Sequence, residues 1–505
     1  MNESVVIIGG GLGGLFTGAL LSKEGIEVTI LEKNRIIGGG LQNFTHKGVS
    51  FETGMHVLGG FQEGGSLRKI CTYLGVYDKL SILDEDDDCM DSITYLCDNK
   101  TYCIAKGRTR FVECLSGYFP EESDHIKKYV DELYRLANEV DLFYLRQSKS
   151  SIFQHSPQFT MPANSLIDNY ISNPKLRDLL AYMNPMYGGV ADHTPAYIHA
   201  LINVLYIDGA SRFAGGSQQL ADALVGVIEE SGGRVLNNKT VTGISLLDRN
   251  ITKVTVSDGS SYVADRYISS IHPCSLLNII DQDAFPKAYR TRLAEIPNTY
   301  SAFSVYITFH KDTFPFINHT CYYQDEYGTV WKHGEYDEAT FPRGFMYITP
   351  AEKGQGRYAT KMIINCIMSF DVVRKWEDSF TGHRSPEYLE WKHRLTDRII
   401  SRMEHFYPDF RNYIKDVFAS SPLTIRDYYN AKDGTMFGFR KDCQNILLSQ
   451  VPIYTKVGNL LLTGQNINLH GICGVPLTAI NTAEAIVGEN TIIDKINKYN
   501  QYEQN

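Results

Sequence analysis

At 505 residues the chain is too long for one hydrophobic core, so two or three domains are expected. Hydrophobic residues make up 43% and charged residues 21%, which excludes long disorder, and a net charge of -9 without any basic run excludes nucleic acid as a partner. The 10 cysteines, scattered from Cys71 to Cys473 with no CxxC pair and no metal-ligand spacing, read as reduced thiols of a cytoplasmic protein and point to no metal site. The apolar stretch Val5 to Leu21 has no basic n-region and is broken by six glycines between Gly9 and Gly18, which suits a strand and turn better than a secretory signal. No uninterrupted apolar run approaches the roughly 20 residues that span a bilayer. Peripheral membrane contact, and with it membrane association, stays open.

Val5 to Ile8 is a β-branched apolar run, the pattern of a strand buried on both faces of a parallel sheet. It leads into Gly9-Gly10-Gly11-Leu12-Gly13-Gly14, a G-x-G-x-x-G, followed by a helical stretch from Leu15 to Lys23 that ends at Gly25 and a second strand from Glu27 to Glu32. This is a βαβ dinucleotide-binding unit. Gly9 permits the tight turn, Gly11 lets backbone approach a pyrophosphate, and Gly14 allows close helix–strand packing, while the helix N-terminus offers N–H groups to phosphate. Glu32, eighteen residues after Gly14, stands where a carboxylate accepts from ribose hydroxyls and repels a 2′-phosphate. These residues leave NAD and FAD both open.

The next segment, Glu32-Lys33-Asn34-Arg35-Ile36-Ile37-Gly38-Gly39, resembles the E-x5-G-G extension of glutathione-reductase-like FAD proteins, which include amine oxidases and the phytoene desaturase group. Gly38-Gly39-Gly40-Leu41-Gln42-Asn43-Phe44 and Phe51 to Gly59 resemble a narrower branch, the retinol saturases and carotenoid isomerases of the phytoene desaturase family. Amine oxidases usually carry Arg after the two glycines, and this chain has Gly40 there. Asp168 to Gly188 with Pro195 to Leu205 looks like the saturase helical region. Phe213 to Leu220, then Gly232 to Val235 and Val241, resembles the glycine-led helix and the strand covering the adenine. Asn459 to Ala485 looks like the second FAD motif.

That last motif also makes sense bottom-up. Leu460 to Thr463 is a buried-strand pattern ending at Gly464, and Gly471, Gly474 and Pro476 precede a helical run from Leu477 to Ile486, where proline near the first turn is favourable. Such a helix end, aimed at a reduced flavin, stabilises negative charge.

The expected architecture is α/β: a Rossmann-type, glutathione-reductase-like FAD domain with a mixed-sheet plus helical substrate domain. The FAD domain is assigned residues 1–75, 206–280 and 440–505, closed in its middle block by a strand from Ala264 to Ser270. The substrate domain is assigned 76–205 and 281–439, with a hairpin from Ser92 to Ile104, helices from about 122 to 149, and a strand from Tyr300 to Phe309 in a mixed sheet. The acidic run Asp84 to Asp88 reads as a solvated loop without calcium-loop spacing, and the tail after Lys498 as disordered.

The resemblance implies FAD held by Gly9, Gly11, Leu12, Gly13, Gly14, Glu32, Lys33, Gly38, Gly39, Gly40, Leu41, Gly54, Met55, His56, Val241, Gly464, Gln465, Gly474, Val475 and Pro476. Flavin exchanges hydride at N5, so the protein supplies orientation and electrostatics, and no triad or metal cluster is needed. His56 is the candidate proton donor or flavin-tuning group. Gln465 takes the place of an acid that contacts the ribityl chain in many relatives, and His470 flanks the same motif. The implied activity is oxidoreduction of a C=C or C–C bond in an apolar polyene or isoprenoid-like molecule, with saturation preferred. Desaturation, redox-neutral cis–trans isomerisation, and a non-catalytic flavin-bound scaffold or redox sensor are the alternatives. No second GxGxxG is present, so the electron donor or acceptor is unidentified.

Overall fold

Short β-branched runs from both ends of the chain pair with one another to build the cofactor-side sheet. In the computed structural model, which describes residues 3–147 and 154–503, five parallel strands lie in the order Arg234–Leu236, Glu27–Leu31, Ser4–Ile8, Arg266–Ser269 and Leu460–Leu462. Val5, Ile7, Val28 and Ile30 enter one core, and Val6, Ile8, Leu31 and Leu460 enter another. Side chains that alternate faces are thus apolar on both, which is why the strands read as unbroken hydrophobic runs. Helix Leu12–Lys23 packs on this sheet beside helices Gln218–Glu230 and Gly471–Val487. It begins three residues earlier than expected, directly at the glycine turn.

The second large sheet has seven strands in the order Ile414–Ser420, Ser301–Phe309, Lys361–Met368, Gly344–Ile348, Thr320–Gln324, Asp91–Tyr95 and Lys100–Ile104. Its pairs are antiparallel except Thr320–Gln324 with Asp91–Tyr95, so it is mixed, and Asp91 to Ile104 forms the expected hairpin. Every residue of Ser301–Phe309 is buried. A small antiparallel sheet of Val57–Gly59, Ala210–Phe213 and Ile82–Asp84 joins chain segments that the sequence reading had assigned to different domains.

Four expectations change. The helical stretch near 122 to 149 is helix Ser123–Ala137 followed by a 3-10 turn at Asp141–Tyr144, while 148 and 149 lie outside the described residues. The tail is helix Thr491–Glu503, seated by buried Ile492, Ile493 and Ile496. Within the acidic run, Asp84, Asp86, Asp87 and Asp88 are exposed but Glu85 is buried and paired with Arg212. The C-terminal motif helix starts at Gly471, six residues before Leu477, and places Pro476 in its second turn. Among the described residues no single helix is long and apolar enough to cross a membrane.

Candidate active site

Three glycine-rich segments cross at the C-terminal end of the parallel sheet and leave bare backbone facing a cleft. Gly9 takes φ +103°, a left-handed value that only glycine adopts cheaply, and turns the chain into helix Leu12–Lys23. A Cβ on Gly14 would stand 2.0 Å from the Gly9 carbonyl oxygen, and one on Gly13 would stand 2.8 Å from Gly464 Cα. A Cβ on Gly39 would meet Gly11 Cα at 2.9 Å. The segments around Gly11, Gly39 and Gly464 therefore touch backbone to backbone. The helix N-terminus that opens between them has no acidic residue in its first turn, so its positive end is unopposed. A pyrophosphate fits such a cradle.

Glu32 directly follows the second strand, is 6% exposed, and borders the cleft. Its Oε2 accepts from the Gly10 backbone N–H at 2.8 Å and its Oε1 from the Asn34 N–H at 2.8 Å. Each oxygen keeps a free lone pair for a ribose hydroxyl. Lys33 beside it donates to the Asp427 carbonyl, and burial pulls its ammonium below the usual lysine range. The cleft as a whole offers about 2070 Å³ including its open mouth.

The sequence-predicted cofactor residues border this cleft with four exceptions. Gly14 serves helix–strand packing, as its Cβ clash shows, and Gly38 (φ +129°) packs against Ala221. Gly474 packs against Leu469, where a Cβ would meet the leucine Cβ at 2.6 Å. Pro476 is buried inside its helix. At the start of that helix Gly471 and Ile472 reach the cleft instead, again with no acidic residue in the first turn. Gln465 borders the cleft and His470 does not.

His470 borders a second cavity, about 810 Å³ with its open mouth included. Its walls are largely apolar: Ile198, Leu201, Ile202 and Leu205 from helix Ala196–Asp208, and Leu469 and Leu477 from the C-terminal motif. Met55, His56, Met186, Phe437, Gly471 and Ile472 border both spaces, so the cavity meets the cleft at these six residues. The His470 ring is held down to about 4 by burial, with the nearby Lys441 ammonium adding to the effect. Lys441 is itself buried, which lowers it to about 8, and it donates to the Ile467 carbonyl at 3.0 Å and to that of Ser449 at 3.3 Å.

Glu52 is the residue that sequence reasoning quoted in a motif without giving it a role. It is buried, and its Oε1 lies 3.0 Å from His56 Nδ1 and accepts from the Ser217 backbone N–H at 2.9 Å. No periodicity signals this pairing, because Glu52 ends a strand and His56 follows a turn. Ser304 and Asn365 were also missed: they face each other on adjacent antiparallel strands and border the cleft from the mixed sheet.

Comparison with known proteins places these features in a family. The profile of the flavin containing amine oxidoreductases matches residues 12–487. All-trans-retinol 13,14-reductase of Rattus norvegicus is 25% identical over 529 residues, covering 97% of this chain and 86% of that protein. Prolycopene isomerase 1, chloroplastic, of an Oncidium hybrid cultivar is 22% identical over 518 residues, covering 96% and 84%. The crystal structure of an oxidoreductase from Methanosarcina mazei superposes with a TM-score of 0.64 at 16% identity, covering 95% of this chain and 100% of that one, a likeness of fold.

Proposed function

The chain belongs to the flavin containing amine oxidoreductase family, and from its membership as an FAD-dependent oxidoreductase we propose that it reduces a C=C bond of an apolar, polyene or isoprenoid-like molecule. The observation that carries this reading is the apolar cavity between helix Ala196–Asp208 and the C-terminal motif, which meets the dinucleotide cleft at Met55, His56, Met186, Phe437, Gly471 and Ile472. A long hydrocarbon suits walls of Leu, Ile and Phe, with few polar groups to fix its orientation. Two relatives bear the names of all-trans-retinol and prolycopene, both conjugated chains of this kind.

The bare glycine cradle and Glu32 fit FAD: Gly11, Gly13, Gly39 and Gly464 would hold the pyrophosphate and Glu32 would accept from the ribose. When bound and reduced, FAD supplies a hydride from its flavin N5. The rest falls to the protein. The cavity walls exclude water and hold the double bond against the cleft, and the N-terminus of helix Gly471–Val487 favours negative charge there. His56, at the junction, holds the proton that the second carbon needs. Electrons come from a separate donor.

The test begins with an absorbance spectrum of the purified protein, then anaerobic photoreduction and mixing with a panel of retinoids and carotenoids. Oxidised flavin bands restored by a polyene whose chromophore shortens are expected. A polyene that shifts its spectrum while the flavin stays reduced makes the enzyme an isomerase. Flavin that stays reduced with every unchanged polyene overturns the substrate reading.

A further inference from the structure

Two imidazoles border the apolar cavity, and their surroundings are electrostatically opposite. His470 Nε2 is buried without a hydrogen-bond partner, and burial with the Lys441 ammonium nearby keeps the ring neutral near pH 7. A neutral ring is a poor general acid, because giving up its one N–H proton leaves imidazolate. His56 stands instead against a carboxylate, its Nδ1 3.0 Å from Glu52 Oε1, with side chains only 14% and 7% exposed. Glu52 cannot turn away. The same oxygen accepts from the Ser217 N–H at the start of helix Gln218–Glu230, which fixes the carboxylate against the cofactor-side sheet. A carboxylate at Nδ1 selects the Nδ1–H tautomer and leaves Nε2 as the working nitrogen. Here Nε2 lies on the Gly54 side of the ring, where a Cβ on that glycine would stand 3.5 Å away, and the ring borders both cleft and cavity.

We propose that Glu52 is a positioning residue that holds His56 with Nε2 turned to the junction of cleft and cavity, so that the Glu52–His56 pair, and not His470, delivers the proton in C=C reduction. The proposal rests on the functional reading above for its chemistry and on the structure alone for its geometry. One carbon of the double bond takes the hydride carried by reduced flavin. The π pair moves to the neighbouring carbon and forms a C–H bond with the Nε2 proton, leaving neutral imidazole. The substrate gains two electrons, the flavin loses two, and solvent restores the proton to Nε2. Glu52 preserves the ring's orientation before and after transfer.

Two measurements on the flavin-loaded protein test this. The first is 15N NMR of histidine-labelled protein above the pH at which the ring protonates, with His56 assigned by its loss in His56→Ala. The parent should show the Nδ1–H tautomer, and Glu52→Leu should move toward the Nε2–H form that free imidazole prefers. A parent ring already in the Nε2–H form overturns the positioning role. The second is stopped-flow reoxidation of reduced flavin by a polyene. Glu52→Gln keeps size and FAD but not charge, and should lower the rate constant at least about tenfold with KM changed less than about twofold. Glu52→Asp should recover part of the loss. His56→Ala should keep FAD and also lose about tenfold or more, a larger fall than His470→Gln gives. An unchanged rate in Glu52→Gln, or the reverse order for the two histidines, overturns the proton route. If no polyene reoxidises the parent, the functional reading fails, and the tautomer measurement still decides whether Glu52 orients His56.

Discussion

Single atoms decide whether the cofactor cradle closes. A methyl on Gly14 would stand 2.0 Å from the Gly9 oxygen, and that oxygen belongs to backbone that cannot retreat without moving the strand. Gly14→Ala should therefore cost about 1–3 kcal/mol and lower FAD occupancy, read as Tm and as the ratio of flavin to protein absorbance. Gly117 makes the matched control: it lies inside helix Arg108–Tyr118 with nothing within 4 Å of an added Cβ, so Gly117→Ala should stabilise by roughly 0.5–1 kcal/mol. Equal behaviour of the two variants would refute the packing account. The glycines were legible because spacing alone marks them, whereas the Glu52 contact with His56 was not, since it depends on how a turn folds back. Buried His199 was also invisible to sequence. Its ring lies between the Tyr129 hydroxyl at 2.6 Å and the Tyr187 hydroxyl at 2.9 Å, and burial depresses it to about 3. Its unfolded value near 6.5 means that the unfolded chain takes up a proton first as pH falls. The stability this neutral ring contributes is complete above about pH 6.5 and is lost progressively toward pH 3. Replacing it with Gln should lower stability at pH 7, but the gap to the parent should narrow by about 2 kcal/mol between pH 6.5 and 5. A gap that stays constant in thermal melts across that range would show that His199 is not neutral in the fold.

Elements were most legible where a single period ran without interruption. The strands Ser4–Ile8 and Leu460–Leu462 and the hairpin from Asp91 to Ile104 follow from apolar runs and alternation. Element ends were less so. The C-terminal motif helix runs through Gly471, Gly474 and Pro476, residues that read as a turn, because Gly474 packs on Leu469 too closely for any side chain. The last helix was missed for a different reason. Its final turns are polar, but its anchor lies earlier, at Ile492, Ile493 and Ile496, each at most 3% exposed. Beyond the anchor, Asn500 donates to the Lys69 carbonyl, and the Lys23 ammonium lies over the Tyr73 and Tyr499 rings. Tertiary contact outweighs weak helix propensity there. Ile496→Ala should cost about 2–5 kcal/mol and open this helix to hydrogen exchange. Unchanged exchange from Thr491 to Glu503 would mean that the helix holds without its apolar face.

At the scale of the molecule, the sheets must keep one relative position if cavity and cleft are to meet, and a buried ion pair ties the small antiparallel sheet to the mixed one. Arg212, on the central strand of the small sheet, pairs through Nη2 with Glu85, both at most 3% exposed. Its Nη1 reaches the Thr349 carbonyl at 3.3 Å, and Thr320 of the mixed sheet donates to Glu85 Oε1 at 3.1 Å. Asp91 lies close by, buried and bonded to the Tyr182 hydroxyl, and desolvation drives its carboxyl well above the usual range. Arg212 thus faces two buried acids, and desolvation raises both of their carboxyls. Neither partner was legible in sequence: Glu85 sits in a run of exposed acids, and its mate is 127 residues away. Removing the cation alone leaves a buried carboxylate without compensation, so Arg212→Met should cost about 3–5 kcal/mol. Replacing both partners removes the charge as well as its counterion, so Arg212→Met with Glu85→Leu should regain much of that loss. The glycine cradle is untouched in either variant, so each should still bind FAD when folded, and the two should differ in Tm rather than in flavin content. A double variant no more stable than the single one would show that the pair is needed to seat the sheets and not merely tolerated between them.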